Sequence, residues 1–116
     1  MSKTSFTFDL VSTTYNVQIT INIESLNIHI QNSHTVTRTK DMEEIIDTIM
    51  THSCYAYLVK HGYNRTKNSM IREWKAHNLL HKSDFEINRT ASVDIDQGES
   101  ILRKILYAIL SLFYRE

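Results

Sequence analysis

The sequence contains no proline, two glycines and one cysteine in 116 residues. Its turns must therefore be built by Asn, Ser, Thr and Asp, whose side chains hydrogen-bond their own backbone. With Gly62 and Gly98 as the only glycines, no glycine-rich phosphate loop is possible. The lone Cys54 excludes an internal disulfide and fits a reducing cytoplasm. It lies between Ser53 and Tyr55 with no adjacent lysine or arginine to stabilise a thiolate, so it reads as a structural thiol. The formal net charge is zero, so no global field selects nucleic acid, and the chain is no acidic DNA mimic. The run Ile105–Tyr114 is apolar except for Ser111, but a bilayer core needs about twenty such residues. No membrane span is expected. Met1-Ser-Lys-Thr opens an alternating polar stretch and not an apolar leader, which adds to the cytoplasmic expectation.

What is present is ordinary globular material: 41% hydrophobic and 22% charged residues. The length suits a single domain over 1–116. The first third alternates with period two, the mark of half-buried strands. Even positions are apolar over 5–10, odd positions from Tyr15 to Ile23, and even positions again at Leu26, Ile28 and Ile30. A hairpin turn is expected at Glu24-Ser25, and a more polar fourth strand over 34–39. The solvent-side row of Gln18, Thr20, Asn22, Asn27, His29 and Gln31 is polar yet uncharged, and between Asp9 and Arg38 only Glu24 carries charge. Such a sheet is either a solvated Asn/Thr face or one covered by a second subunit; poor edge charge favours pairing and hence a homo-oligomer, a dimer being the simplest.

The remainder has helical spacing. Asp41-Met-Glu-Glu44 has the form of a capping box, with Asp41 as N-cap and Glu44 at N3. Met42, Ile45, Ile46, Ile49, Met50, Tyr57 and Leu58 continue the stripe to a stop at Gly62. A second helix is expected from Thr66 or Asn68 to about Lys82, a loop over 85–96 with an extended piece at 92–96, and a strongly hydrophobic last helix over 99–114. The predicted architecture is α+β: an N-terminal antiparallel meander of three to four strands (1–40), then three α-helices (41–116).

The chemistry-bearing residues concentrate in the second helix. Met70, Trp74, His77 and His81 fall on one stripe, with Asn78 at its edge. Glu73, His77 and His81 are successive i, i+4 neighbours, a spacing that suits metal ligation, with Asp84, Asp94 or Asp96 to complete the set; the pattern lacks the glutamate order of zinc proteases. Lys60, Arg65, Lys67, Arg72 and Lys75 face Glu73 alone between 60 and 75, five cations against one anion. Tyr63 and Trp74 supply rings, and Arg38 and Arg89 could converge on the same place. Guanidinium groups and a helix N-terminus suit phosphate, and rings suit bases. The competing structural reading has Trp74 in the core, His77 and Asn78 bonded to a neighbouring loop, and the cations solvated.

The segment Arg72-Glu-Trp-Lys-Ala-His-Asn-Leu-Leu80, with Ser92-Val-Asp-Ile-Asp96 and Ile109-Leu-Ser-Leu-Phe-Tyr114, resembles small uncharacterised proteins of bacterial and prophage genomes that carry Glu-Trp-x-x-His-Asn-x-Leu-Tyr. His81 stands where that pattern has tyrosine. The resemblance implies no activity. With a composition rich in Asn, Ile, Thr and Lys, it implies a phage or mobile-element setting, where small proteins disarm host immunity. The leading expectation is a non-enzymatic binding protein, without cofactor, in the host cell cytoplasm. It captures an anionic ligand (a nucleotide signal, a nucleic acid, or the acidic surface of a host defence protein) at Arg65, Lys67, Arg72, Trp74, His77, Asn78 and Arg89. The alternatives are a metal-dependent hydrolase using Glu73, His77 and His81, and an oligomeric interaction module.

Overall fold

The computed structural model describes residues 4–89. Strands β1 (Ser5–Val11), β2 (Asn16–Asn22) and β3 (Asn27–Gln31) form the meander that the alternation predicts. A 3₁₀ turn (Ser33–Thr35) leads into helices α1 (Thr39–Thr51), α2 (Ser53–Lys60) and α3 (Lys67–Leu80). Strand β4 (Phe85–Asn88) then returns to pair antiparallel with β3, giving sheet order β1-β2-β3-β4. The fold is α+β, an antiparallel sheet with helices packed on one face.

The period-two pattern sets which face is covered. Val17, Ile19, Ile21, Ile28, Ile30, Phe85 and Ile87 are buried on the helix side. Met42, Ile45, Ile46 and Ile49 of α1, Leu58 of α2, and Met70, Ile71 and Trp74 of α3 meet them. On the other face polar residues bond across strands: Thr7 to Thr20 at 3.1 Å, Gln18 to Asp9 at 3.1 Å, and Asn27 to Glu86 at 3.0 Å. The β2–β3 turn is held by Asn22, whose Oδ1 accepts from the Glu24 and Ser25 amides, with Leu26 at φ 55°. Asparagine thus takes the part that Asn-Gly plays in other hairpins.

Three expectations need correction. No strand forms over 34–39; the place beside β3 belongs to β4, drawn from a stretch expected to be loop. Four residues alternating buried and exposed are too short a signal to separate from a turn. The capping box also does not form. Helix α1 begins at Thr39 with Arg38 as N-cap, and Asp41 is buried inside its first turn, accepting from the Thr14 hydroxyl at 3.1 Å. Glu44 instead accepts from Tyr15 at 3.2 Å, so both carboxylates tie α1 to the β1–β2 turn. Third, the continuous helix expected from Asp41 to Gly62 breaks at His52, which is extended (ψ 144°). Thr48 and Thr51 donate to the carbonyls of Glu44 and Thr48, a back-bonding that weakens the last turn. The His52 Nδ1 then caps α2 by accepting from the Cys54 amide, while its ring stacks on Phe8 at 4.5 Å. The hydrophobic helix expected over 99–114, like the extended piece at 92–96, lies outside the described residues.

The stop at Gly62 holds. Gly62 has φ 103°, its amide bonds the Val59 carbonyl, and the Tyr63 amide reaches back to Leu58 at 2.9 Å, a Schellman motif. Thr66 caps α3 by accepting from the Ser69 amide. Ile46→Ala is expected to destabilise the fold by about 2–5 kcal/mol through a core cavity. Trp74→Phe, which strips a partner from a buried carbonyl, is expected to cost about 1–3 kcal/mol. Both are read as lower urea midpoints at unchanged m-value.

Candidate functional site

Helix α3 presents three faces, and its sequence distributes the candidate residues among them. The first faces the sheet. Trp74 is fully buried, its ring stacks on Phe85 with centroids 5.9 Å apart, and its Nε1 donates to the Ser33 carbonyl at 3.2 Å. Asn78 donates to the Val36 carbonyl at 2.9 Å; its Oδ1 is buried without a partner among the described residues. His77 Nε2 lies 3.2 Å from the Ser83 carbonyl, fitting the tautomer that donates there, and its ring rests against Phe85. Ser33 donates to the same Ser83 carbonyl. Trp74, His77 and Asn78 therefore share a side, as the spacing predicts, and each is spent on the backbone of a loop flanking the sheet.

The second face carries a buried ion pair. The Arg65 side chain is 2% exposed and that of Glu73 is 14% exposed, with Nη2 and Oε2 2.6 Å apart. The guanidinium also donates to Ser69 Oγ and to the Asn88 carbonyl, both at 2.9 Å. Arg65 thus ties the start of α3 to the end of β4. Tyr63 lies buried beside it, its hydroxyl 3.4 Å from the Ile87 carbonyl, and Tyr55 meets Tyr63 edge-on. Burial pushes the Tyr63 hydroxyl far above its ordinary value, against a smaller opposing pull from Arg65. Tyr55 is raised by the same cause and opposed by the same guanidinium. Arg89 comes near this cluster, its Nη1 about 4.0 Å from where a side chain at Gly62 would begin.

The third face is open. Asn68, Ile71, Arg72, Lys75, Ala76 and Leu79 line a groove whose other wall is Thr39 and Glu43 of α1. Leu79 is 69% exposed, and among the described residues neither Arg72 nor Lys75 makes an ion pair. Lys67 is engaged differently, bridging α3 to Asp47 of α1 at 2.9 Å. Arg38 stands 4.0 Å from Asp41.

The cations that the sequence groups are therefore divided. At 100° per residue Glu73 lies 100° to one side of Trp74, and Arg72 lies 160° away, on the back of the helix. Arg65 is consumed by Glu73, Lys67 by Asp47, and of the five grouped cations Arg72 and Lys75 line the groove. The metal set is divided as well. Glu73 is turned to Arg65, and His81, the extended C-cap, keeps its ring 5.0 Å from that of His77. Asp84 accepts from the Asn32 amide and pairs with His29. Among the described residues no three metal-ligating side chains converge; Asp94 and Asp96 lie outside them. What sequence reading missed is Lys75 and Leu79 as groove residues, which their helical positions, about 100° and 140° from Trp74 on the side away from Glu73, signal.

Glu73→Ala strands the Arg65 charge and is expected to destabilise by about 3–5 kcal/mol. The double replacement Arg65→Met with Glu73→Leu is expected to recover most of that loss in the same urea titration, since it leaves no unpaired charge. Because the folded Tyr63 hydroxyl titrates well above the unfolded one, its protonated state favours folding, and that contribution falls as pH rises past about 10. Tyr63→Phe is expected to flatten the decline in thermal midpoint above that pH. No protein-family model, no curated protein and no solved structure matches the chain.

Proposed function

We propose that the chain is a non-enzymatic binding protein whose contact surface is the α1–α3 groove, and that it captures an acidic, partly apolar segment of another protein. The observation that carries this reading is the pairing of two cations, Arg72 and Lys75, which make no ion pair among the described residues, with the exposed Leu79 on one helix face. Charge at such a rim steers and orients a partner, while an apolar side chain beside it supplies desolvated contact. Glu43 on the facing wall disfavours a uniformly acidic strand and favours carboxylates spaced along a helix or turn. A nucleotide is the weaker fit, because no aromatic ring among the described residues lines the groove and Trp74 is sealed from solvent. In the mobile-element setting that the composition and the Glu-Trp-x-x-His-Asn-x-Leu resemblance suggest, the partner would be a host protein, a defence protein among them.

A fluorescent helical peptide with Glu and Leu at i, i+4 spacing serves as the probe, read by anisotropy. Arg72→Ala combined with Lys75→Ala is expected to weaken its binding about tenfold and to reduce the salt dependence. Leu79→Ala is expected to weaken it without changing the salt slope. Tight binding of an oligonucleotide or ATP in place of the peptide, insensitive to Arg72, would overturn the reading.

A further inference from the structure

We propose that the outer edge of β1 is a self-association surface, at which a second copy of this chain adds its own β1 antiparallel with Phe8 at the two-fold axis. The phase of the β1–β2 ladder fixes which backbone groups are free. The Ser12 amide bonds the Tyr15 carbonyl and the Ile23 amide bonds the Thr4 carbonyl, both at 2.8 Å. With the register unbroken from Ser5↔Asn22 to Val11↔Asn16, the even-numbered residues direct their N–H and C=O groups to β2. Ser5, Thr7, Asp9 and Val11 direct theirs outward, and among the described residues no strand pairs with them.

The protections that natural edges carry are absent here. Strand β1 has no lysine, no proline and no bulge, and its one charge is Asp9. Phe6 is 37% exposed although it points to the helix side, and Val11 is 71% exposed. The opposite edge differs. Strand β4 has four residues, carries Glu86, is followed by Arg89, and has its Asn88 carbonyl taken by Arg65.

The strand is also self-complementary. Outward-facing residues pair with one another only if the axis passes through a residue and not between two, and axes at Thr7, Phe8 or Asp9 give the longest overlaps of the strand. An axis at Asp9 brings two carboxylates face to face. One at Thr7 leaves Val11 beyond the paired strand. An axis at Phe8 pairs the whole strand, sets Asp9 opposite the partner's Thr7, and covers Phe6 with the partner's Leu10. It adds about eight backbone hydrogen bonds, two for each pair of outward-facing residues. Because both copies use the same strand, the assembly closes as a dimer with one continuous sheet and does not propagate.

One added strand pair buries less than the ~1,600 Å² of a standard interface, so the association is of the weak, reversible class. Sedimentation equilibrium of the whole chain up to about 500 μM is expected to show a monomer–dimer equilibrium. Thr7→Pro removes an outward donor without touching the β1–β2 ladder, and is expected to leave a monomer with unchanged circular dichroism. Thr7→Lys, which sets the introduced ammonium across from the partner's Asp9, is expected to tighten the dimer about threefold to tenfold, and Thr7→Glu to loosen it comparably. A lysine on an unrelated edge would instead discourage pairing, so the sign of that change reports the register. A chain that stays monomeric at the highest concentration, or a Thr7→Pro variant that dimerises like the parent, would overturn the proposal. Arg72→Ala, in the groove, is expected to leave the dimerisation constant unchanged.

Discussion

The sheet and helix layers are joined through main-chain carbonyls of the segments beside the sheet, which accept hydrogen bonds from side chains of α3. Ser33, Val36 and Ser83 place theirs under α3, where Trp74, Asn78 and His77 donate to them. The Ser33 carbonyl also accepts from the Val36 amide, and that of Ser83 from the Ser33 hydroxyl. Leaving a buried carbonyl such as that of Val36 unpaired costs about 1–3 kcal/mol, comparable to the burial of a whole aliphatic side chain. The tryptophan therefore acts twice, as apolar bulk on Phe85 and as a donor. The segments flanking β3 and β4 are irregular because their hydrogen bonds go to side chains of a helix and not to a ladder. Arg65 repeats the device at the other end of α3, where Asn88 receives its guanidinium.

The same economy explains how charge is distributed. Arg65 and Glu73 satisfy one another out of water, a pair whose removal in halves is far more damaging than its removal whole. Lys67 and Asp47, both solvated, add little but fix the approach of α1 to α3. With those cations engaged, Arg72 and Lys75 of α3 make no ion pair among the described residues, and their helical positions turn them away from the Trp74 stripe. A chain of zero net charge can still display a small, local and positive surface, and the groove holding Arg72 and Lys75 is that surface.

Much of this was legible from residue order, and the failures have physical causes. The alternation over 5–30 fixes β1 to β3 and their buried face, because a one-residue slip would expose every isoleucine. Gly62 and Thr66 mark the end of α2 and the start of α3, each through a local bond that its residue type makes. The stripe of Trp74, His77 and Asn78 follows from helical spacing alone. Strand β4 was hidden because its four residues acquire meaning only beside β3. The break at His52 was hidden because periodicity runs through a single extended residue without losing phase. Arg65 was misjudged because counting cations along the chain ignores direction: Glu73, eight residues on, is the neighbour that neutralises it. Asp41 matched a capping pattern, yet the Thr14 hydroxyl, distant in sequence, claimed its carboxylate.

The central claim is that the tryptophan, histidine and asparagine of α3 fasten the helix to the backbone of the segments beside the sheet, with the indole shut away from solvent. Trp74 is the one tryptophan in the sequence, so its fluorescence reports that site alone. Acrylamide quenching of the folded chain tests the claim most directly. A blue-shifted emission that acrylamide barely quenches until urea unfolds the protein is the expected result. Efficient quenching of the native protein would place the indole in contact with solvent and contradict the account.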